Sequence, residues 1–200
     1  MVRFIVLTAF LCFFGNQLSI AQQDSSIVIL IPEAKCVLTL PNQNNFVNDQ
    51  LGTMMSKAEY VINDYLKDSL DLDSVVKPYF LIRNGNFNMM NCQVSVFDSS
   101  AFPSWDSSHS FTTELVVEII EKQGPKIQLL NSTLGTLTLN GKEFKSQILE
   151  TYYPDIDISM HTIWLCSNFG AYDLGFNISY TDEAWKEEAI RILSKIQYLE

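Results

Sequence analysis

The last thirty residues constrain the architecture more than any other stretch. From Tyr172 to Tyr180 the chain alternates: Tyr172, Leu174, Phe176, Ile178 and Tyr180 share one parity, and Asp173, Gly175, Asn177 and Ser179 the other. A period of two with one apolar side predicts a half-buried strand, greasy on one face and wet on the other. Thr181 and Asp182 then offer N-cap oxygens, and Glu183 puts a carboxylate in the first turn, where it suits the helix dipole. Trp185, Ala189, Ile192, Leu193 and Ile196 follow at i, i+4, i+7, i+8 and i+11, a single helical stripe. A strand and a helix that are each apolar on one side must close on a common sheet.

The chain begins with different chemistry. Arg3 precedes an apolar run from Phe4 to Phe14, broken by Gly15-Asn16-Gln17, and Ser19-Ile20-Ala21 has the small residues of a cleavage site. That pattern predicts a secretory signal peptide over 1–21. The run is about eleven residues, against roughly 20 for a spanning helix, so no stable membrane anchor is expected after cleavage. Removing 1–21 takes away one arginine and no acid, which moves the net charge from −10 to −11. Nucleic acid and anionic lipid both demand a basic surface and are excluded as main partners. The expected location is periplasmic or secreted, with residues 22–33 as a tail or edge strand and 34–200 as one domain.

Between the ends, Ile27–Ile31 and Cys36–Leu40 predict short strands, each stopped by a proline. Leu51, Met54, Met55, Ala58, Val61, Ile62 and Tyr65 predict a helix over 48–67. Tyr79–Ile82 and the alternating Met90–Val96 predict a hairpin about Asn84-Gly85. Residues 98–110 read as a long Ser- and Asp-rich loop, with the next helix capped by Thr112 or Thr113 and ended by Gly124-Pro125. Lys126–Leu130 predicts a short strand. Leu134–Leu139, Asn140-Gly141 and Lys142–Tyr152 give the strongest hairpin signal, with Leu137 set opposite Phe144 and Thr138 opposite Glu143. His161–Cys166 predicts a buried strand.

The candidate chemistry is sparse. Phe102, Trp105 and His109 in the 98–110 loop form a candidate binding surface, since large aromatics in polar loops serve as anchors; the alternative is that Trp105 folds back over the sheet. Met54, Met55, Met90 and Trp164 form a candidate apolar pocket between sheet and helix. Cys36, Cys92 and Cys166 are either buried thiols or include one bridge, Cys92 to Cys166, which export would permit. His109 and His161 are the histidines a hydrolase could use, but no serine elbow or oriented acid accompanies them. Asp155 and Asp157 lack the oxygen count that calcium needs. Asn131 and Asn177 head N-glycosylation sequons. No catalytic residue, metal site or cofactor is expected.

Element order then points to a resemblance. A short strand ending Leu40-Pro41 leads to a helix and further strands, "LNGKEF" (Leu139–Phe144) opens a long strand, and "YDLGFNISY" runs into "EAWKEEAIRILSKI". The closing phrase Ile192-Leu193-Ser194-Lys195-Ile196 is similar to one that ends domains of the PsbP/DcrB-like superfamily. The resemblance covers roughly 34–199. It departs at Asn42–Asn45, where an aromatic is expected, and in the long 98–110 loop. It implies a single antiparallel sheet flanked by helices, an α/β/α sandwich of α+β class, in a non-enzymatic accessory or protein-binding factor of the cell envelope or extracellular space. A binder of a small apolar ligand is the second expectation and a hydrolase the third. A protein partner is therefore expected.

Overall fold

The computed structural model describes residues 26–41, 56, 59 and 75–199. The expected signal peptide over 1–21, Met54, Met55 and the expected helix over 48–67 lie outside the described residues, apart from Ser56 and Glu59, which are helical. Nine strands and two long helices follow in the described chain: β1 (Ile27–Ile31), β2 (Cys36–Leu40), β3 (Val76–Asn84), β4 (Asn88–Val96), α1 (Trp105–Lys122), β5 (Gln128–Leu139), β6 (Lys142–Tyr153), β7 (Ile158–Phe169), β8 (Tyr172–Tyr180), α2 (Glu183–Leu193) and β9 (Gln197–Tyr198).

The strands do not make a single sheet. Six form an antiparallel sheet in the order β3-β4-β8-β7-β6-β5, and three form a second, β1-β2-β9. The turn that separates β1 from β2 carries Lys35 at φ +46 and reverses the chain at once, so β1 and β2 pair with each other. Tyr198 and Gln197 then add to β2 after α2 has ended. Helices do lie on both faces of the large sheet, but on one face α2 shares the space with the small sheet.

The alternation in β8 decides what each face receives. Leu174, Phe176, Ile178 and Tyr180 join Phe80, Met90, Cys92, Leu165 and Phe144 against Leu38, Leu40, Trp185, Ala189, Ile192, Leu193 and Ile196 in one core. The stripe on α2 is as the spacing predicts, and Asp182 caps the helix, its carboxylate accepting from the Ala184 N–H at 3.0 Å. The other parity of β8 is not wet. Asp173, Gly175, Asn177 and Ser179 are buried as well. A second layer, which includes α1, covers that face, so β8 is a central strand closed on both sides.

The 98–110 stretch is shorter as a loop than its composition suggests. The α1 helix begins at Trp105, with Ser104 as N-cap: the Ser107 N–H donates to Ser104 Oγ at 3.1 Å, and the Ser104 N–H donates back to Ser107 Oγ at 3.2 Å. Thr112 and Thr113 are therefore interior, their hydroxyls donating to the Ser108 and Ser110 carbonyls. The stripe on α1 was hidden because its first half is polar: Ser108, His109, Thr112 and Thr113 are buried ahead of Leu115, Val116, Ile119 and Ile120.

The three cysteines are free and buried. Cys92 stands opposite Phe176 and Cys166 opposite Gly175, adjacent positions on β8, so the two thiols point to opposite faces of the sheet with β8 between them. Two strand spacings are about 10 Å, beyond the roughly 7 Å that a bridge tolerates, and the expected Cys92–Cys166 disulfide cannot form. Burial pushes the Cys36 thiol up to about 12 and the Cys92 thiol well above its ordinary range. A chain produced without residues 1–21 should be silent toward a thiol reagent while folded and should titrate three thiols once unfolded. A single reactive thiol after denaturation would instead reveal a bridge.

Candidate functional site

Residues from three separate expectations meet under the start of α1. Trp105 stacks on His109 at 5.4 Å between ring centroids, and His109 lies 5.3 Å from Trp164 of β7. Trp105 thus folds back over the sheet, and His109 is buried at 8% exposure. Phe102 packs on Phe111 at 5.5 Å. The trio Phe102, Trp105 and His109 is consequently not one open surface: Phe102 and Trp105 are each partly buried against their own neighbours, His109 is buried, and Asp106 beside them is exposed. Lys145 of β6 lies over Trp105, its Nζ 5.1 Å from the Trp105 ring and 2.5 Å from Asp106 Oδ1.

Sequence inspection missed two members of this cluster, Lys145 and Asp173. Asp173 accepts from Asn168 Nδ2 at 2.9 Å and from the Trp105 indole N–H. Burial nevertheless raises its carboxyl from 3.8 to about 6, against the lowering effect of those two donors. Burial also drives the His109 imidazole down to about 4, helped by the Lys145 charge and opposed by Asp106. Cys166, in the next register row to Trp164, has its thiol pushed well up by burial and then by Asp173. A neutral imidazole held between two indoles and an inert thiol fasten a helix to a sheet; neither faces solvent as a nucleophile or base must.

The rest of this face is polar in ordered rows. Asn91, Asn177, Trp164 and Gln147 stand side by side across β4, β8, β7 and β6. Gln147 Nε2 donates to the Thr113 carbonyl of α1 at 3.0 Å and to Ser132 Oγ at 3.2 Å. The same registers overturn the candidate apolar pocket. Met90 is opposite Ile178 and Trp164 opposite Asn177, so Met90 and Trp164 face opposite sides of the sheet. Met54 and Met55 lie outside the described residues. His161, the other histidine, stacks on Tyr180 at 5.1 Å.

Among the described residues, one edge of the six-stranded sheet is exposed along a long strand. The Lys126–Leu130 and Leu134–Leu139 segments merge into one strand, β5, of twelve residues with a register shift between Leu129 and Asn131. The Asn140-Gly141 turn has φ +46 and +83, and it sets Leu137 opposite Phe144 and Thr138 opposite Glu143, as the spacing predicts. β5 is the outermost strand, and most of it is exposed, with Leu130 at 52% and Leu134 at 62%. It carries no charge and no proline. Of the two sequons, Asn131 lies exposed on this strand and Asn177 is fully buried.

Among the described residues no helix is long and apolar enough to cross a membrane. No family model and no curated protein matches the sequence. Among solved structures, the chain is similar to the solution structure of the cyanobacterial PsbP protein (CyanoP) from Synechocystis sp. PCC 6803, over 92% of this chain and 98% of that one, at 9% identity and a TM-score of 0.48. A likeness at this level carries no argument about family or activity.

Proposed function

We propose that this chain is a non-catalytic accessory domain, exported to the cell envelope or beyond it, that acts by binding another protein chain. One observation carries the proposal: β5 is the outermost strand of the six-stranded sheet, twelve residues long with no charge and no proline, its single register shift lies between Leu129 and Asn131, and among the described residues its outer side is unpaired along the regular stretch from Asn131 to Leu139. Natural sheets blunt such edges with charge, proline, bulges or short length, because an open edge pairs with any strand that reaches it. An edge left open over this length suits recognition by strand addition, in which main-chain hydrogen bonds supply the affinity and alternate side chains the specificity. The acidic surface, at a net −10, keeps the rest of the molecule apart from other acidic chains.

The opposite edge of the same sheet provides an internal contrast. β3 carries Lys77, Pro78 and Arg83, and its register shifts between Pro78 and Phe80. Lys77 is also tied to Glu33 at 2.8 Å, and Tyr79 donates to the same carboxylate. A photo-crosslinking residue placed at Thr136 of β5 in the native host should therefore yield a protein adduct, while one placed at Lys77 should not. Equal yields at the two edges, or no adduct from Thr136, would overturn the proposal.

A further inference from the structure

We propose that the strand taken up by β5 is β5 of a second copy of this chain, the two pairing antiparallel about a two-fold axis so that two six-stranded sheets become one. This deepens the reading of β5 as a binding edge and rests on it.

Charge selects the occupant. Each copy has 13 basic and 23 acidic residues, a net −10, so two copies repel wherever their acidic surfaces face each other. The sequence Gln-Leu-Leu-Asn-Ser-Thr-Leu-Gly-Thr-Leu-Thr-Leu of β5 brings no ionisable group to the contact. Like charges directly opposite each other across a strand pair destabilise it, and here none arise. The same edge contrasts with β1, which is also uncharged and exposes Val28 and Leu30, but is only five residues long.

Geometry allows the closure. An antiparallel strand paired with its own copy is isologous by construction, since residue i meets j and j meets i, and the assembly stops at two. A register centred on Leu134 sets Leu134 against its copy and Ser132 against Thr136, and it sets Thr133 against Gly135. Leu134, on the α1 side of the sheet beside Gln147, is the most exposed large apolar side chain of β5. Burying it against its own copy removes from water the feature of this edge least suited to water. The strand's threonines are β-branched and favour the extended pairing. The register shift at Leu129/Asn131 lies at the far end of the strand, clear of the 131–137 segment that pairs.

Light scattering and sedimentation of the processed chain should give twice the monomer mass at tens of micromolar. Leu134→Lys, which sets two like charges across the axis, should weaken self-association by roughly tenfold or more and leave the thermal midpoint of the monomer unchanged, because the position is exposed. Leu134→Cys should form an intermolecular disulfide on oxidation, since opposed Cα atoms in an antiparallel pair lie about 4.5–5.5 Å apart, whereas Val28→Cys on β1 should not. A monomeric parent whose Thr136 crosslinks to a different protein overturns the self-pairing and leaves the binding function standing. A monomer with no Thr136 adduct overturns both. A dimer that Leu134→Lys does not weaken and Leu134→Cys does not trap is built elsewhere, and overturns the self-pairing.

Discussion

Replacing Phe176 by alanine is expected to cost about 3–5 kcal/mol of folding free energy. Phe176 is fully buried at the middle of β8, between Cys92 of β4 and Leu165 of β7, with its ring 5.7 Å from Phe144. Three elements of the core therefore lose contacts at once, and a central strand held by hydrogen bonds on both sides cannot collapse into the space. The loss combines the transfer of a phenyl group with an unrelieved cavity. Urea unfolding followed by fluorescence gives the number, and a cost below about 1 kcal/mol would place Phe176 outside the core. Phe176→Leu should recover most of it, because volume rather than aromaticity is what the site requires.

The second large effect is electrostatic, and it appears as a slope with pH. Folded Asp173 keeps its proton up to about pH 6, whereas the ordinary carboxyl releases it at 3.8, because burial disfavours the anion. Its contribution to stability is fully present below 3.8 and is lost as pH rises through 6. His109 runs the other way: its folded value near 4, against an ordinary 6.5, makes its contribution complete above pH 6.5 and lost as pH falls toward 4. Between pH 4 and 6 the folded state gains one proton at Asp173 and gives up one at His109, so the two slopes cancel. Single substitutions should unmask them.

Relative to the parent, Asp173→Asn should make stability rise with pH in that window by about 1.4 kcal/mol per unit, and His109→Phe should make it fall by about the same. At pH 8, Asp173→Asn should be about 2 kcal/mol more stable than the parent: roughly 3 from relief of the buried anion, less about 1 for an amide N–H without an acceptor. Because the slopes are read as differences, the remaining carboxylates drop out. Parallel parent and variant curves would mean that neither group is held as the burial implies.

These two sites also mark where the sequence was legible. Phe176 announced itself, since an apolar residue in strict alternation with polar ones has one place to go. The α2 stripe and the Asn140-Gly141 hairpin, with its register, were equally plain, because each rests on a local rule: helical spacing, a cap, and a turn that demands positive φ at two successive residues. The polar parity of β8 was misleading. Asp173, Asn177 and Ser179 belong inside because a helix whose own buried half is Ser108, His109, Thr112 and Thr113 lies over that side of the sheet. Counted as inward-facing, those residues would have extended the α1 stripe back to Trp105 and removed most of the loop. Polar residues give that signal only once their partner surface is known.

Local pattern determined most of the elements, though not where α1 starts or that β5 is one strand, and with them the inward face of the last strand and helix and the apolar half of the core, since each follows from spacing along a few turns of chain. Which strand became an edge did not follow. β5 and β8 are both apolar-and-polar strands with few charges, yet one is enclosed and the other open, because strand order is set by contacts between segments far apart in sequence. The same holds for the cysteines, whose separation depends on which face of β8 each one shares. Side-chain parity is local, whereas neighbourhood across a sheet belongs to the assembled structure.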